Sequence, residues 1–464
     1  MFFTSSPGGT RFPPRERVIL QGLGVSVLRW DEGDLEARLC RALDLAKTTI
    51  GFFAKTGYAD RESPMYSFGP EKPVAETAML IYAASACRHR PNVSSKVDEL
   101  ARILVPHARS DRVFADIALH PALAFTLAVP HVLLTRLGYP DSSFDDFLRS
   151  CLSSDAINGH ERTPLSSLER RWIRSLWTGE KPDGTWQATL RASVLSSPLD
   201  ILGGLREDVY ALTHLIFYST DFGFRSRPLP RRRSVILAEA SSLLAKYLDF
   251  EDYDLSGELL LSWPFTGGRW SPSAVFGLRV LASVEQEVGI LPCGNVNVAR
   301  LNRLEGEERT RYALGTAYHT AYVMGFLCAA CLRADRMPPV KIAGPKVEPS
   351  CLTRLRRYIE DDQGHWHSEF SRLSDDEQQV LTPFILDIGI VQNCRRRNYV
   401  AVKELLTLGH EYRLHASPLC RQATDLLQRL ASCSIALSAS GRPIGKVAMP
   451  AEPAVSAQLA SSAV

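Results

Sequence analysis

Asp208, Tyr210, Thr213, His214, Tyr218 and Asp221 fall within one otherwise apolar run, REDVYALTHLIFYSTDFG (206–223). At 3.6 residues per turn, Tyr210, His214, Tyr218 and Asp221 share a stripe on one helix. An imidazole held in one tautomer by a phenol or carboxylate is what a general acid or base requires. His214, assisted by Tyr218 or Asp221, is therefore the expected acid–base residue, with Tyr210 and Asp208 beside it. The same pattern also suits a core histidine whose two nitrogens are satisfied by neighbours.

A second set lies further along the chain. Cys293, in GILPCGNVN, stands between Pro292 and Gly294 and is expected on a turn, where a thiol is available for chemistry. His319 follows in the apolar run YALGTAYHTAYVMG, flanked by Tyr318 and Tyr322. Asp208 or His214 with Cys293 and His319 would supply three ligands and leave a fourth zinc position open, as catalysis requires. The bland alternative is that Cys293 caps a turn and His319 fills a core. Cys328 and Cys331 have no second cysteine pair to complete a metal site. His365-Trp366-His367, in DDQGHWHSE, reads as a polar loop between helices. Its two imidazoles would face one ion only in an extended segment.

Arg225, Arg227 and Arg231 to Arg233 crowd a proline-containing loop directly after the His214 run, and Arg395 to Arg397 form another cluster. Arg225, Arg227 and Arg231 are the candidate anion-binding residues, suited to a phosphate or an acidic peptide. Such runs are also ordinary solvated surface. Neither is long or aromatic enough to argue for nucleic acid. No phosphate loop, Rossmann glycine pattern, His-Glu-x-x-His helix or Gly-x-Ser-x-Gly turn is present, so no nucleotide cofactor has sequence support.

The elements that must hold these residues are helices. Apolar residues recur at spacings of three and four, and sustained alternation of β-branched residues is rare. The pattern predicts helices near 34–47, 73–88, 94–107, 112–137, 142–153, 165–177, 205–221, 234–249, 255–263, 272–288, 306–334, 349–360, 374–392, 398–412 and 418–436. Stops stand at Gly138-Tyr139-Pro140, Gly223, Gly267-Gly268, Gly289 and Pro338-Pro339, and starts at Ser142, Ser271-Pro272 and Ser374 with Glu377. His131 and His214 each precede a Gly-aromatic pair by about two turns, a weak internal repeat. The expected fold is all-α: stacked helix pairs, closed or nearly closed into an α/α toroid. Segments 205–221 and 306–334, apolar on nearly every face, suit an inner layer, and 234–249 and 418–436 an outer one.

Composition excludes several classes. With 54 Lys+Arg against 51 Asp+Glu the net charge is +3, which gives no general reason to expect nucleic acid. A 45% hydrophobic content in 464 residues supports a large core. The most apolar stretch, 118–134, is interrupted by His120, Pro121, Pro130 and His131 and is expected inside the protein, not in a membrane. The N-terminus lacks the apolar centre of a secretory signal, and ten scattered cysteines suit a reducing cytoplasm. Residues 1–30 read as an extension, 31–437 as the helical domain, and 438–464, rich in Ala, Ser, Pro and Gly, as a disordered tail.

LTRLGYPD (134–141), REDVYALTHLIFYSTDFG and YHTAYVMGFLCAACL (318–332) resemble an uncharacterised bacterial domain family of natural-product producers. The resemblance spans roughly 30–436. It implies an α/α toroid of the kind used by terpenoid cyclases, protein prenyltransferases and lanthipeptide cyclases, and no particular reaction. The zinc signatures of the latter two and the DDxxD and DxDD clusters of terpene cyclases are missing here. The expectation is thus a biosynthetic cyclase, lyase or group transferase. It would act in the ring's cavity on a small-molecule, hydrophobic or peptide intermediate. The competing expectation is a non-catalytic helical-repeat module binding a peptide or partner protein.

Overall fold

The structure is a computed structural model that describes residues 30–53, 71–181, 183–294, 296, 298–359 and 364–439. Among them there is helix and no strand. The order begins α1 (Glu32–Phe53), α2 (Glu71–Ala84), α3 (Pro91–Ala108), α4 (Asp111–Leu119), α5 (Ala124–Leu127), α6 (Val129–Arg136) and α7 (Ser142–Leu152). It continues through α8 (Pro164–Thr178), α9 (Gly184–Arg191), α10 (Arg206–Ser219), α11 (Arg233–Asp249), α12 (Tyr253–Thr266), α13 (Pro272–Val288) and α14 (Val298–Arg303). The last helices are α15 (Gly306–Cys331), α16 (Pro349–Leu355), α17 (His365–Ser371), α18 (Asp375–Arg395), α19 (Tyr399–Glu411) and α20 (Pro418–Ala439).

Caps fix these boundaries. Ser271 accepts from the amide of Ala274 with Pro272 in the first turn, and Ser374 and Glu377 form a reciprocal capping box. Gly267 and Gly289 end α12 and α13 with φ of 67° and 91°, a left-handed conformation that needs glycine. Asp141, not Ser142, caps α7, its carboxylate accepting from the amide of Phe144 at 3.0 Å. The expected helix over 112–137 is broken in two places. Pro121, without an N–H, begins a short 3-10 turn after α4, and Pro130 sits in the first turn of α6. Around His365 the expected loop is the helix α17, so His365 and His367 cannot face one ion as extended residues would. His365 instead pairs with Glu251 at 3.0 Å. The expected tail, 438–464, lies outside the described residues except for Ser438 and Ala439, which end α20, and the expected extension, 1–30, lies outside them except for Trp30.

The packing partners run in a circuit. α2 packs on α6, α6 on α8, α8 on α10, α10 on α12, α12 on α15, and α15 back on α2. α1 lies against α15 and α2, α3 against α2 and α6, α9 against α8, and α13 against α12. Segment 234–249, expected on the outside, is α11, and it is covered on both sides. It packs on α12 and α13, and α18 and α20 lie across it, so even its Glu239 and Ser242 are buried. Among the described residues no helix is long and apolar enough to cross a membrane.

Candidate functional site

α12, YDLSGELLLSWPFT, is buried along its whole length, yet it carries two carboxylates four residues apart. That spacing puts Asp254 and Glu258 on one face, a turn apart. They retain 5% and 1% exposure. α15 crosses this face at close range because Gly257 has no side chain; a Cβ there would stand 2.6 Å from Val323 Cγ1. The crossing sets His319 opposite the carboxylates. Its Nε2 lies 3.5 Å from Asp254 Oδ1 and 3.6 Å from Glu258 Oε1. Its Nδ1 faces Glu76 Oε2 of α2 at 3.1 Å.

α10 supports the same group from the side. The Tyr210 hydroxyl donates to Asp254, and the Thr213 hydroxyl donates to Glu258 Oε2 at 2.6 Å. His214 Nδ1 meets the backbone carbonyl of Tyr210 at 2.9 Å and Glu258 Oε2 at 3.5 Å. Both are acceptors, and the Thr213 hydroxyl, 3.3 Å from Nδ1, gives its proton to Glu258, so Nδ1 carries the proton of the neutral ring and Nε2 is its acceptor nitrogen. One turn on, the Tyr218 hydroxyl donates to Glu169 Oε1 of α8 at 2.9 Å, while its ring stacks on Trp172 at 4.9 Å.

Several of these groups line one pocket. Glu76, Glu169, Glu258, His214, His319 and Lys72 supply its polar wall, and Met79, Val129, Phe217, Phe222, Val323 and Phe326 its apolar one. A cavity of ≈ 50 Å³ has room for a few waters, at ~10–15 Å³ each, or for the reactive end of a longer molecule. Burial raises the Glu169 carboxyl, and the hydrogen bond from Tyr218 offsets this only in part. Burial, then the charges of neighbouring carboxylates, pushes the Tyr210, Tyr218 and Tyr318 phenols well up. Burial alone would raise Glu76 and lower His319. Their mutual attraction, with Lys72 adding to it at Glu76 and Asp254 at His319, outweighs that: Glu76 falls to about 2 and His319 lies well above its ordinary value.

Of the residues singled out from the sequence, His214, Tyr218 and His319 line the pocket. Tyr210 stands behind Asp254. Tyr318 and Tyr322 are buried at its back, Tyr318 against Glu76 and Tyr322 bonded to Thr77 at 2.8 Å. Asp221 and Asp208 do not line it. Asp221, at φ 53°, accepts from Trp172 Nε1 at 2.8 Å and from the Tyr82 hydroxyl at 3.1 Å. Asp208 accepts the amide of Leu205 at 3.3 Å, where it caps α10. Cys293 lies in the loop after α13, as its Pro and Gly neighbours predict, but is not among the residues grouped with His319. The arginines have protein neighbours: Arg225 is 3.2 Å from Asp221, Arg231 2.6 Å from Glu239, and Arg227 lies 4.6 Å above the Trp186 ring.

Sequence reasoning missed Glu76, Glu169, Asp254 and Glu258. For the last two the signal was present: DLSGE places two acids at i and i+4 at the head of the apolar run LLLSWPF.

Comparison with curated proteins and with solved structures gives no match. A family model described as "Domain of unknown function (DUF6895)" matches residues 39–329, a span that runs from within α1 to the last turn of α15 and holds every residue of the pocket. The chain belongs to this family.

Proposed function

We propose that the protein is an enzyme that transfers protons on a small or part-apolar substrate held in the cavity of an α/α toroid, with Glu169 as acid and His214 as base. One observation carries this reading. Three carboxylates and two imidazoles from five different helices converge, with Lys72 and the Tyr218 phenol, on a single pocket whose remaining wall is mostly apolar. Burying so many ionisable groups costs stability, and folding alone has no use for them. The circuit of helix pairings supports the toroid. Burial raises the Glu169 carboxyl, the direction a proton donor needs, and His214 has its Nδ1 committed to a carbonyl, which leaves Nε2 to accept.

The reaction class that fits is a cyclase, lyase or group transferase of natural-product biosynthesis, working in the cytoplasm on a hydrophobic or peptide intermediate. The reactive end of that intermediate would enter beside Phe217, Phe222 and Phe326, whose faces stabilise a developing positive charge. A non-catalytic binding module gains less support, since the arginines of its expected docking loop are engaged within the chain.

Glu169→Gln tests the reading because glutamine still accepts from Tyr218 but supplies no acidic proton. The expected result is a compound that accumulates in a deletion strain and in a strain carrying E169Q. Purified wild-type protein should convert that compound ~10²–10⁴-fold faster than the variant. A folded E169Q protein that restores the wild-type metabolite profile would overturn the assignment.

A further inference from the structure

Asp254 Oδ1, Glu258 Oε1 and His319 Nε2 lie within 4.8 Å of one another, and Glu258 and His319 are part of the pocket wall. We propose that these three residues bind one divalent transition-metal ion of the zinc or manganese kind, with its remaining positions open to the cavity. The inference uses the same pocket as the proposed acid–base chemistry, but it stands on the ligand geometry and not on that chemistry.

The distances suit an ion. Ligand atoms ~2.1 Å from a tetrahedral centre stand roughly 3.4 Å apart, and His319 Nε2 is 3.5 and 3.6 Å from the two carboxylate oxygens. The neighbours also suit one. His319 presents Nε2 to the carboxylates because Glu76 holds Nδ1 at 3.1 Å, the carboxylate–histidine arrangement that orients a metal-bound imidazole. Thr213 and Tyr210 donate to the oxygens on the far sides of Glu258 and Asp254, fixing the rotamer of each.

Charge gives a third reason. Asp254, Glu258 and Glu76 surround one imidazole; Arg206 lies 3.7 Å from Asp254 and Lys72 3.8 Å from Glu76, while the ion-pair partners of Glu258 are only the rings of His214 and His319. A divalent cation offsets this excess of buried negative charge. An imidazole among the donors favours a transition ion over magnesium or calcium. Bound in this position the ion would polarise a substrate oxygen or a water facing Glu169 and His214. The zinc site expected from the sequence shared only His319 with this one; here Asp254 and Glu258 replace Asp208 and Cys293.

The test uses untagged full-length protein, stripped by a chelator, then incubated separately with Zn²⁺, Mn²⁺ and Mg²⁺ and desalted. One equivalent of zinc or manganese should be retained, and no magnesium. Glu258→Gln should abolish retention, and Glu76→Gln should weaken it ~10–100-fold. Replacing His410 and His415, whose stacked rings are 4.4 Å apart outside the pocket, should change nothing. X-ray absorption of the zinc-loaded wild type reads the ligands without any variant: one imidazole with oxygens is expected. Failure to retain any of the three ions, retention unchanged in E258Q, or a sulfur in the zinc shell would each overturn the site. Because binding is read apart from turnover, a metal-free enzyme and a metal-binding non-enzyme give different results.

Discussion

At the scale of single residues, the hydrogen-bond partners decide which titratable groups serve the pocket and which serve the fold. Asp221 sits on the stripe expected for catalysis, yet its carboxylate is spent on Trp172, Tyr82 and Arg225 in a left-handed turn. Asp221→Ala should cost about 3 kcal/mol, since it strands two buried donors and places a Cβ-bearing residue without turn chemistry at positive φ. Asp221→Asn tolerates that φ and keeps an acceptor, so it should unfold only slightly earlier than wild type and leave turnover near normal. Calorimetric unfolding with turnover measured on the same samples checks both. Loss of turnover in a fully stable D221N protein would return Asp221 to the chemistry. His214 and Tyr218 could be found from the sequence because a stripe of polar residues on an apolar helix is visible in one dimension. Glu169, in SSLERRWIRSLW, could not: it reads as one more charge on a solvated face until α10 brings Tyr218 to it.

At the scale of elements, the site is a product of how closely two helices cross. Asp254 and Glu258 reach His319 because Gly257 lets α15 lie against α12. Gly257→Ala should wedge the pair apart at Val323 Cγ1, costing about 1–3 kcal/mol, and should pull the carboxylates away from the imidazole. Adding Val323→Ala removes the obstructing methyls, so the double variant should recover more stability than the two single changes predict together. A double-mutant cycle by urea unfolding measures that coupling. Strict additivity would mean the crossing is not held by this contact. Helix positions were legible in the sequence because capping residues and apolar spacing act locally, as Ser271, Ser374 and Gly289 do. The short helices α9, α14 and α17 were not, since too few turns exist for a period to emerge. The place of α11 was hidden for another reason: its exposed-looking Glu239 and Ser242 find partners in the half-buried Arg231 and in the buried Asp387 of α18, which lies far away in the chain.

At the scale of the whole molecule, the chain has a part the family model spans and a part it does not, and the second part supports the first. α16 to α20 follow residue 329, where the family match ends. Three of them pack on the preceding part: α18 and α20 lie against α11, and α17 and α18 against α13. Phe276 of α13 packs between Phe370 and Phe384, with ring centroids at 6.1 and 5.9 Å. Next to it Arg279 pairs with Glu369, which is 1% exposed. Cutting the chain after residue 345 would uncover Phe276 and its neighbours and leave Arg279 without that carboxylate. At ~1.5–3 kcal/mol for each large apolar side chain returned to water, a few such losses match the ~5–15 kcal/mol that keeps a typical domain folded. The fragment 1–345 should therefore aggregate or unfold without cooperativity, although it contains the whole pocket. Soluble yield and a thermal unfolding curve decide the matter: a soluble fragment with a sharp transition near that of the full chain would mean that α16 to α20 only decorate a unit able to stand alone. The expected collapse would mean instead that the pocket is held in shape from behind, through α11 and α13, by helices that contribute none of its lining.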